Sequence, residues 1–395
     1  MAGSFHLAGL GAAVAGMLLI AATYGLARFG VGLHAPGLAA TRPQLAGVLG
    51  WAAAAQFLSY ATAAVVAARL VDQRPRAGLV VAGATATAGC VGVAVATHPA
   101  AFVAAVVVGG MAGGFASPAL VPVVDAVTAP ARAGTAQSLV NAGTAVGVVA
   151  AGATAAAFSS TTAAWLAMAA ACAVATLVAW WPVRSREDLA AAAGTRPARG
   201  AVRRRALAVP AVAAVVVGAG SALTWTFGPL LLTEAGVLPA RSVGELWTAL
   251  GVGGLLGPLA GVLVVRAGLR GAWALCSAAL ALASAGVGVA VPTDDRWLAL
   301  VAMAAFGAGY MAMSAVLILW ARRAWPRRSG AGTSVLFVAL ATGQALGSAA
   351  FGVARSHAST PWLAAVAACL CAAGAGIGLV GRRAAPRGTV SRHRG

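Results

Sequence analysis

The chain has 395 residues, 61% of them hydrophobic and 9% charged, with a mean hydropathy of +0.90. A soluble domain carries about 25% charged residues, so these figures exclude a soluble globular fold and point to a polytopic membrane protein. The net charge of +19 comes from 27 arginines and no lysine. Those arginines sit in short segments between apolar runs, which favours topogenic loop charge over a nucleic-acid partner.

In chain order, apolar runs about one bilayer thick fall at 8–34, 45–67, 77–97, 100–124, 135–157 and 162–182. After a polar stretch, six more fall at 207–232, 243–265, 271–291, 297–320, 331–354 and 361–381. Each is expected to be a helix, because a lone helix satisfies its own backbone in lipid. The fold class expected is an all-α membrane protein of twelve transmembrane helices in two pseudo-symmetric halves. The halves are residues 1–183 and 207–381, with a cytoplasmic linker at 184–206 and an arginine-rich tail at 382–395. Met1 to His6 holds no Arg or Lys, so the first run is read as a mature helix rather than a cleaved signal. The five cysteines all lie inside apolar runs and read as packing residues.

Orientation follows from the arginines. With the N-terminus in the cytoplasm, 22 arginines fall in cytoplasmic segments and 4 in external ones, leaving Arg28. The sequence therefore predicts cytoplasmic termini and a multi-pass protein of a bacterial cytoplasmic membrane.

The halves repeat. Pro36, Leu38 and Leu70 recur 193 residues later as Pro229, Leu231 and Leu263. Gly113, Arg132 and Gly134 recur after 196 residues as Gly309, Arg328 and Gly330. Gly143, Gly147 and Gly152 are matched at 200 with Gly343, Gly347 and Gly352. Parallel halves of this kind permit rocking about a site near the midplane. A charged turn, Ala68-Arg69-Leu70-Val71-Asp72-Gln73-Arg74-Pro75-Arg76, returns in degraded form as residues 261–270, with Val265 in place of the acid.

This duplicated chain resembles a twelve-helix member of the major facilitator superfamily. The turn motif of that family, roughly G-x-L-x-D-R-x-G-R, is matched by Leu70, Asp72 and Arg76, while Ala68, Gln73 and Pro75 depart from it. The second copy keeps Gly261, Leu263, Arg266, Gly268 and Arg270. The resemblance implies a secondary transporter, without cofactor, working by alternating access. It also implies a gating latch on the cytoplasmic side, for which Asp72, Arg76, Asp125, Arg132, Arg266 and Arg270 are the candidates. Ordinary helix-end pairing is the plainer reading of the same charges. Gly134, Gly143, Gly147 and Gly152 resemble the helix-5 glycines of the antiporters and drug exporters in that family. That match leans the reading to export over import; it is partial, because Val148 stands where a proline is expected and Ala151 where a glycine is expected.

Arg28 is the only charge well inside a run, and such a charge must face the bundle interior. A guanidinium suits a carboxylate or phosphate; the competing reading is an arginine that reaches back to the interface. All eight acidic residues lie away from the middle of a span, which argues against proton-coupled sugar symport and export of cationic drugs. His34 reads as a solvated helix-end residue. Tyr24, Gln56, Tyr60, Ser117, Asn141, Trp225, Tyr310 and Gln344 join Arg28 as cavity candidates, although each alone fits helix–helix hydrogen bonding. Trp225 also fits an interfacial belt. Gly143, Gly147, Gly253 and Gly257 are helix-packing candidates, and no set of residues has metal-ligand spacing. No motif of an enzyme or of an ATP site is present. The reading is a transporter of a small organic solute, anionic or amphipathic. A coupling proton or ion is considered, and the protein is taken as a monomer in the bilayer. The alternatives are a multidrug-type exporter of neutral or hydrophobic compounds and a receptor or scaffold that does not transport.

Overall fold

A computed structural model describes residues 2–70, 74–125, 128–129, 132–181, 204–326 and 329–380. Every regular element among them is helical. Eleven stretches are long and apolar enough to span a membrane. They are α1 (Leu10–Thr41), α2 (Pro43–Ala67), α3 (Pro75–Val95), α4 (Pro99–Val124), α5 (Thr135–Ala157), α6 (Thr161–Trp180) and α7 (Ala208–Glu234). Ala240–Thr293 follows, then α10 (Arg296–Ala324), α11 (Gly330–Ala354) and α12 (Thr360–Leu379). Ala240–Thr293 holds two spans. Gly268, at φ 71° and ψ 168°, breaks it into α8 (240–267) and α9 (269–293), giving twelve spans in two halves. That backbone region is nearly closed to any residue with a Cβ, so a single glycine makes the turn between α8 and α9.

The outside of the bundle is apolar, with Leu282 75% and Val265 86% exposed. Water would not tolerate such a surface, and lipid requires it. Polar staples hold helix ends together within each half. The Arg42 guanidinium donates to the carbonyls of Val93, Ala94 and Ala96 and to Thr162 Oγ1, capping α3 and tying it to α6. Arg355 pairs with Glu234 at 2.6 Å, and Arg296 pairs with Glu245. Asp295 caps α10 by accepting from the Leu298 N–H at 3.0 Å.

The end of the bundle at Trp181 and Arg204 is termed the linker side, and the opposite end the far side. The halves meet through α2 with α11, α5 with α8, and α1 with α7, whereas α4 and α10 pack within their own halves. The joins lie on the far side. A Cβ on Gly50 would come 2.8 Å from both Gly352 Cα and the Ser348 carbonyl oxygen. A Cβ on Gly244 would come 2.5 Å from the Gly152 carbonyl oxygen and 3.2 Å from Ala156 N. These are one contact made twice, since 152 and 156 correspond to 348 and 352 at a separation of 196. Toward the linker side the halves part. Ala145 and Val149 of α5 press on α8, but Asn141, one turn earlier on the same face, is exposed.

The same geometry corrects the register expected for the glycines of α5. Gly25 presses on Gly147, and in the matching contact a Cβ on Gly218 would come 3.3 Å from Gly343 Cα. Gly147 therefore corresponds to Gly343 at 196, one helical turn from the 200 expected. Gly25 corresponds to Gly218 at 193, which leaves Ser221 as the counterpart of Arg28.

Candidate functional site

The site begins with a defect in α1. Residues Ala21–Arg28 form a π-helix, closed by the Phe29 N–H donating to the Tyr24 carbonyl at 3.1 Å. A wider turn leaves carbonyls short of their usual donors, and such turns cluster at functional sites. Side chains answer here. The Thr23 hydroxyl donates to the Leu19 carbonyl at 2.8 Å, Cys172 Sγ to Ala22 at 3.6 Å and Gln56 Nε2 to Ala27 at 3.5 Å. The bulge is thereby held from α1 itself, α6 and α2.

Arg28 closes the bulge and is buried, only 4% exposed. Its guanidinium carbon lies 3.9 Å from the centre of the Tyr60 ring, with Phe29 and Phe57 at 5.2 Å and Tyr24 at 5.4 Å. Each desolvated ring face is worth up to about 2 kcal/mol to a cation. Nη2 donates to Gln344 Oε1 at 3.5 Å, a long bond that reaches across to the second half. Nε has no partner. The two ion pairs among the described residues are both on the far side and neither involves Arg28. The interior reading of Arg28 therefore stands over the interfacial one: the charge is buried, caged and without a carboxylate among the described residues.

Hydrogen bonds extend from this centre. Tyr24 Oη donates to Tyr60 Oη at 3.3 Å and lies 2.8 Å from Ser117 Oγ. Gln344 Nε2 donates to Tyr310 Oη at 3.0 Å. Toward the far side stands an aromatic wall. Phe29 stacks on Trp225 with centroids 4.0 Å apart, and Trp225 meets Trp247, Phe306 and Tyr310 edge to face. Trp225 and Trp247 are both buried, so neither is a belt residue. A narrow cleft lined by Arg28, Phe29, Gln56, Phe57 and Trp225 leaves room for on the order of one water molecule. Above it the Trp225 carbonyl abuts Gly32 and closes the far side.

Of the nine cavity candidates, eight gather around this centre, and Asn141 lies toward the linker side. Phe29 and Phe57 were not foreseen. Their only mark in the sequence is adjacency to Arg28 and Gln56, which does not by itself place a ring against the guanidinium. His34 also departs from expectation. It is 5% exposed, 5.5 Å from the Trp165 ring, with Nε2 unpartnered. The packing glycines do what their size requires: Gly143 and Gly147 meet the Met17 and Ala21 carbonyls, Gly253 meets Ala304 and Gly257 meets Met311. Asp72 and the Asp125 side chain lie outside the described residues, so the latch has no described acid. Arg76 is half-buried with Nε unpartnered, Arg132 and Arg266 are exposed, and Arg270 is half-buried. Among the described residues no group of three or more His, Cys, Asp or Glu is placed to hold a metal.

The family model described as Major Facilitator Superfamily matches residues 17–348. The chain belongs to the Major Facilitator Superfamily. No curated relative matches the sequence. Solved structures of the same fold include the nucleoside transporter NupG, at 12% identity and a TM-score of 0.75, covering 96% of this chain and 100% of that one. A D-xylose-proton symporter matches at 15% identity and a TM-score of 0.73, covering 95% and 97%. A POT family transporter in complex with a thioalcohol-conjugated peptide matches at 10% identity and a TM-score of 0.74, covering 94% and 95%. At such identities the likeness speaks for the fold alone. Superfamily membership points to membrane transport.

Proposed function

We propose that this chain carries a small organic anion, or an amphipath with an anionic end, across a bacterial cytoplasmic membrane by alternating access. The observation behind this reading is Arg28, a buried cation with an open Nε donor and no acid beside it among the described residues. Ring faces and one long hydrogen bond offset only part of the several kcal/mol that desolvating a charge costs, and a bound anion offsets the rest. The carrier is a monomer whose halves, 1–183 and 207–381, rock about the far-side joins. The arginine split makes the linker side cytoplasmic, so the state described here opens inward. The Asp72 turn latches that side in the other state. The aromatic wall gives the apolar end of an amphipath a matching surface as the cleft opens, and the α5 glycines favour export.

A crosslink tests the rocking. Gly50→Cys/Gly352→Cys, oxidised with copper phenanthroline in a background without native cysteines, holds the far side shut. Under that lock, Asn141→Cys is expected to react with an impermeant maleimide from the linker side only. An Asn141→Cys that stays unreactive, or that reacts equally from both sides, would rule out this arrangement.

A further inference from the structure

We infer that the solute is a flat organic monoanion, an aromatic carboxylate in chemical class. The inference rests on the transport reading and narrows it. Three buried polar atoms around the centre lack partners: Arg28 Nε, Trp225 Nε1 and Trp247 Nε1. All three are donors and none can accept. Tyr310 accepts from Gln344 and keeps its own proton to give. A lining of spare donors fits a solute rich in acceptors. It does not fit a cation, and it leaves a neutral hydrocarbon with donors unmet.

The charge count sets the valence. Arg28 is the only cation in the middle of a span, and every other described arginine stands at a span end. A carboxylate matches one guanidinium in charge and in fork geometry. A phosphate monoester brings a second negative charge that finds no cation there. The walls set the shape. Phe29 stacked on Trp225 at 14°, and Phe306 stacked on Tyr310 at 14°, offer flat ring faces beside the charged group. Arg28, Phe29 and Trp225 line the same narrow cleft, so a solute that widens it meets charge and rings together.

Four probes test the class on detergent-purified protein by thermal shift and direct binding: benzoate, benzamide, phenyl phosphate and acetate. Benzoate is expected to bind about tenfold or more tighter than each of the other three. Benzamide lacks the charge, phenyl phosphate carries a second one, and acetate lacks the ring. Arg28→Gln should weaken benzoate by about 10- to 100-fold, with Arg28→Lys recovering part of the loss. Trp225→Phe, which keeps a ring and removes the N–H, should weaken it by about threefold. Monodispersity on gel filtration separates these losses from misfolding. Equal binding of benzamide or phenyl phosphate overturns the class, and so does no binding of benzoate. Benzoate counterflow in liposomes then separates the two readings. Binding as stated without counterflow removes the transport reading and leaves the class. Counterflow of phenyl phosphate in preference to benzoate does the reverse.

Discussion

Gly50 against Ser348 and Gly352, and Gly244 against Gly152 and Ala156, are one contact repeated by the duplication. Arg28 and Ser221 also occupy matching places, in α1 and α7, yet share no chemistry. Arg28 ends a π-helix and sits in a cage of rings. Ser221 lies in an unbroken α-helix and donates to the Gly218 carbonyl at 3.0 Å. The far-side joins kept their symmetry because both halves must close on each other with the same geometry. The centre lost it because a solute is not symmetric. One half supplies the charge and the other most of the aromatic wall.

The comparison can be broken most severely where the symmetric packing is tightest. Gly25→Val would drive a branched side chain into the Gly147 backbone. Backbone cannot yield as a side chain does, and overpacking costs about 1–3 kcal/mol or more. Folded yield on gel filtration should collapse, while Gly376→Val, with open space around it, should leave yield unchanged.

The asymmetric centre should respond in the opposite sense. Arg28→Gln removes a buried charge that has no carboxylate beside it among the described residues, and with it a desolvation penalty of several kcal/mol. The empty protein should melt at the same temperature or higher, while stabilisation by an organic anion is lost. A lower melting temperature without ligand would mean that Arg28 is chiefly structural.

The two joins give a sharper and smaller test. Gly50→Leu and Gly244→Leu should each shift the population toward the state open on the far side, and by similar amounts. Spin-label distances across that face measure this, and unequal shifts would show that the joins are not equivalent. Smallest of all should be Glu234→Gln. It breaks an ion pair with a half-exposed carboxylate, and such pairs contribute about 0–1 kcal/mol, so melting should move by no more than a degree or two.

The spans were legible because lipid leaves the backbone one economical choice. The break between α8 and α9 was also legible, from the charged residues around Gly268. The register of α5 with α11 was not. Gly143 and Gly147 stand four residues apart, as do Gly343 and Gly347, so a slip of one turn pairs more glycines than the true register does, and only the contacts of Gly25 and Gly218 fix it. The π-turn left no mark either, because Ala, Thr and Gly suit an α-helix as well. Arg28 stood out as a charge among apolar neighbours. Its cage did not, because Phe29 and Phe57 read as ordinary lipid-compatible residues until the fold places them around the guanidinium. Burial of His34 escaped for a similar reason: its place near the end of α1 does not reveal that Trp165 of α6 covers it.

The most direct test joins the rocking to the charge. Spin labels at Val121→Cys on α4 and Arg323→Cys on α10, in a background without native cysteines, report the linker-side opening by double electron–electron resonance. The account predicts that an organic anion shifts the distance distribution in the otherwise wild-type protein and leaves it unmoved when Arg28→Gln is added. The same shift in both proteins would contradict it, because the solute would then act without the one charge at the centre.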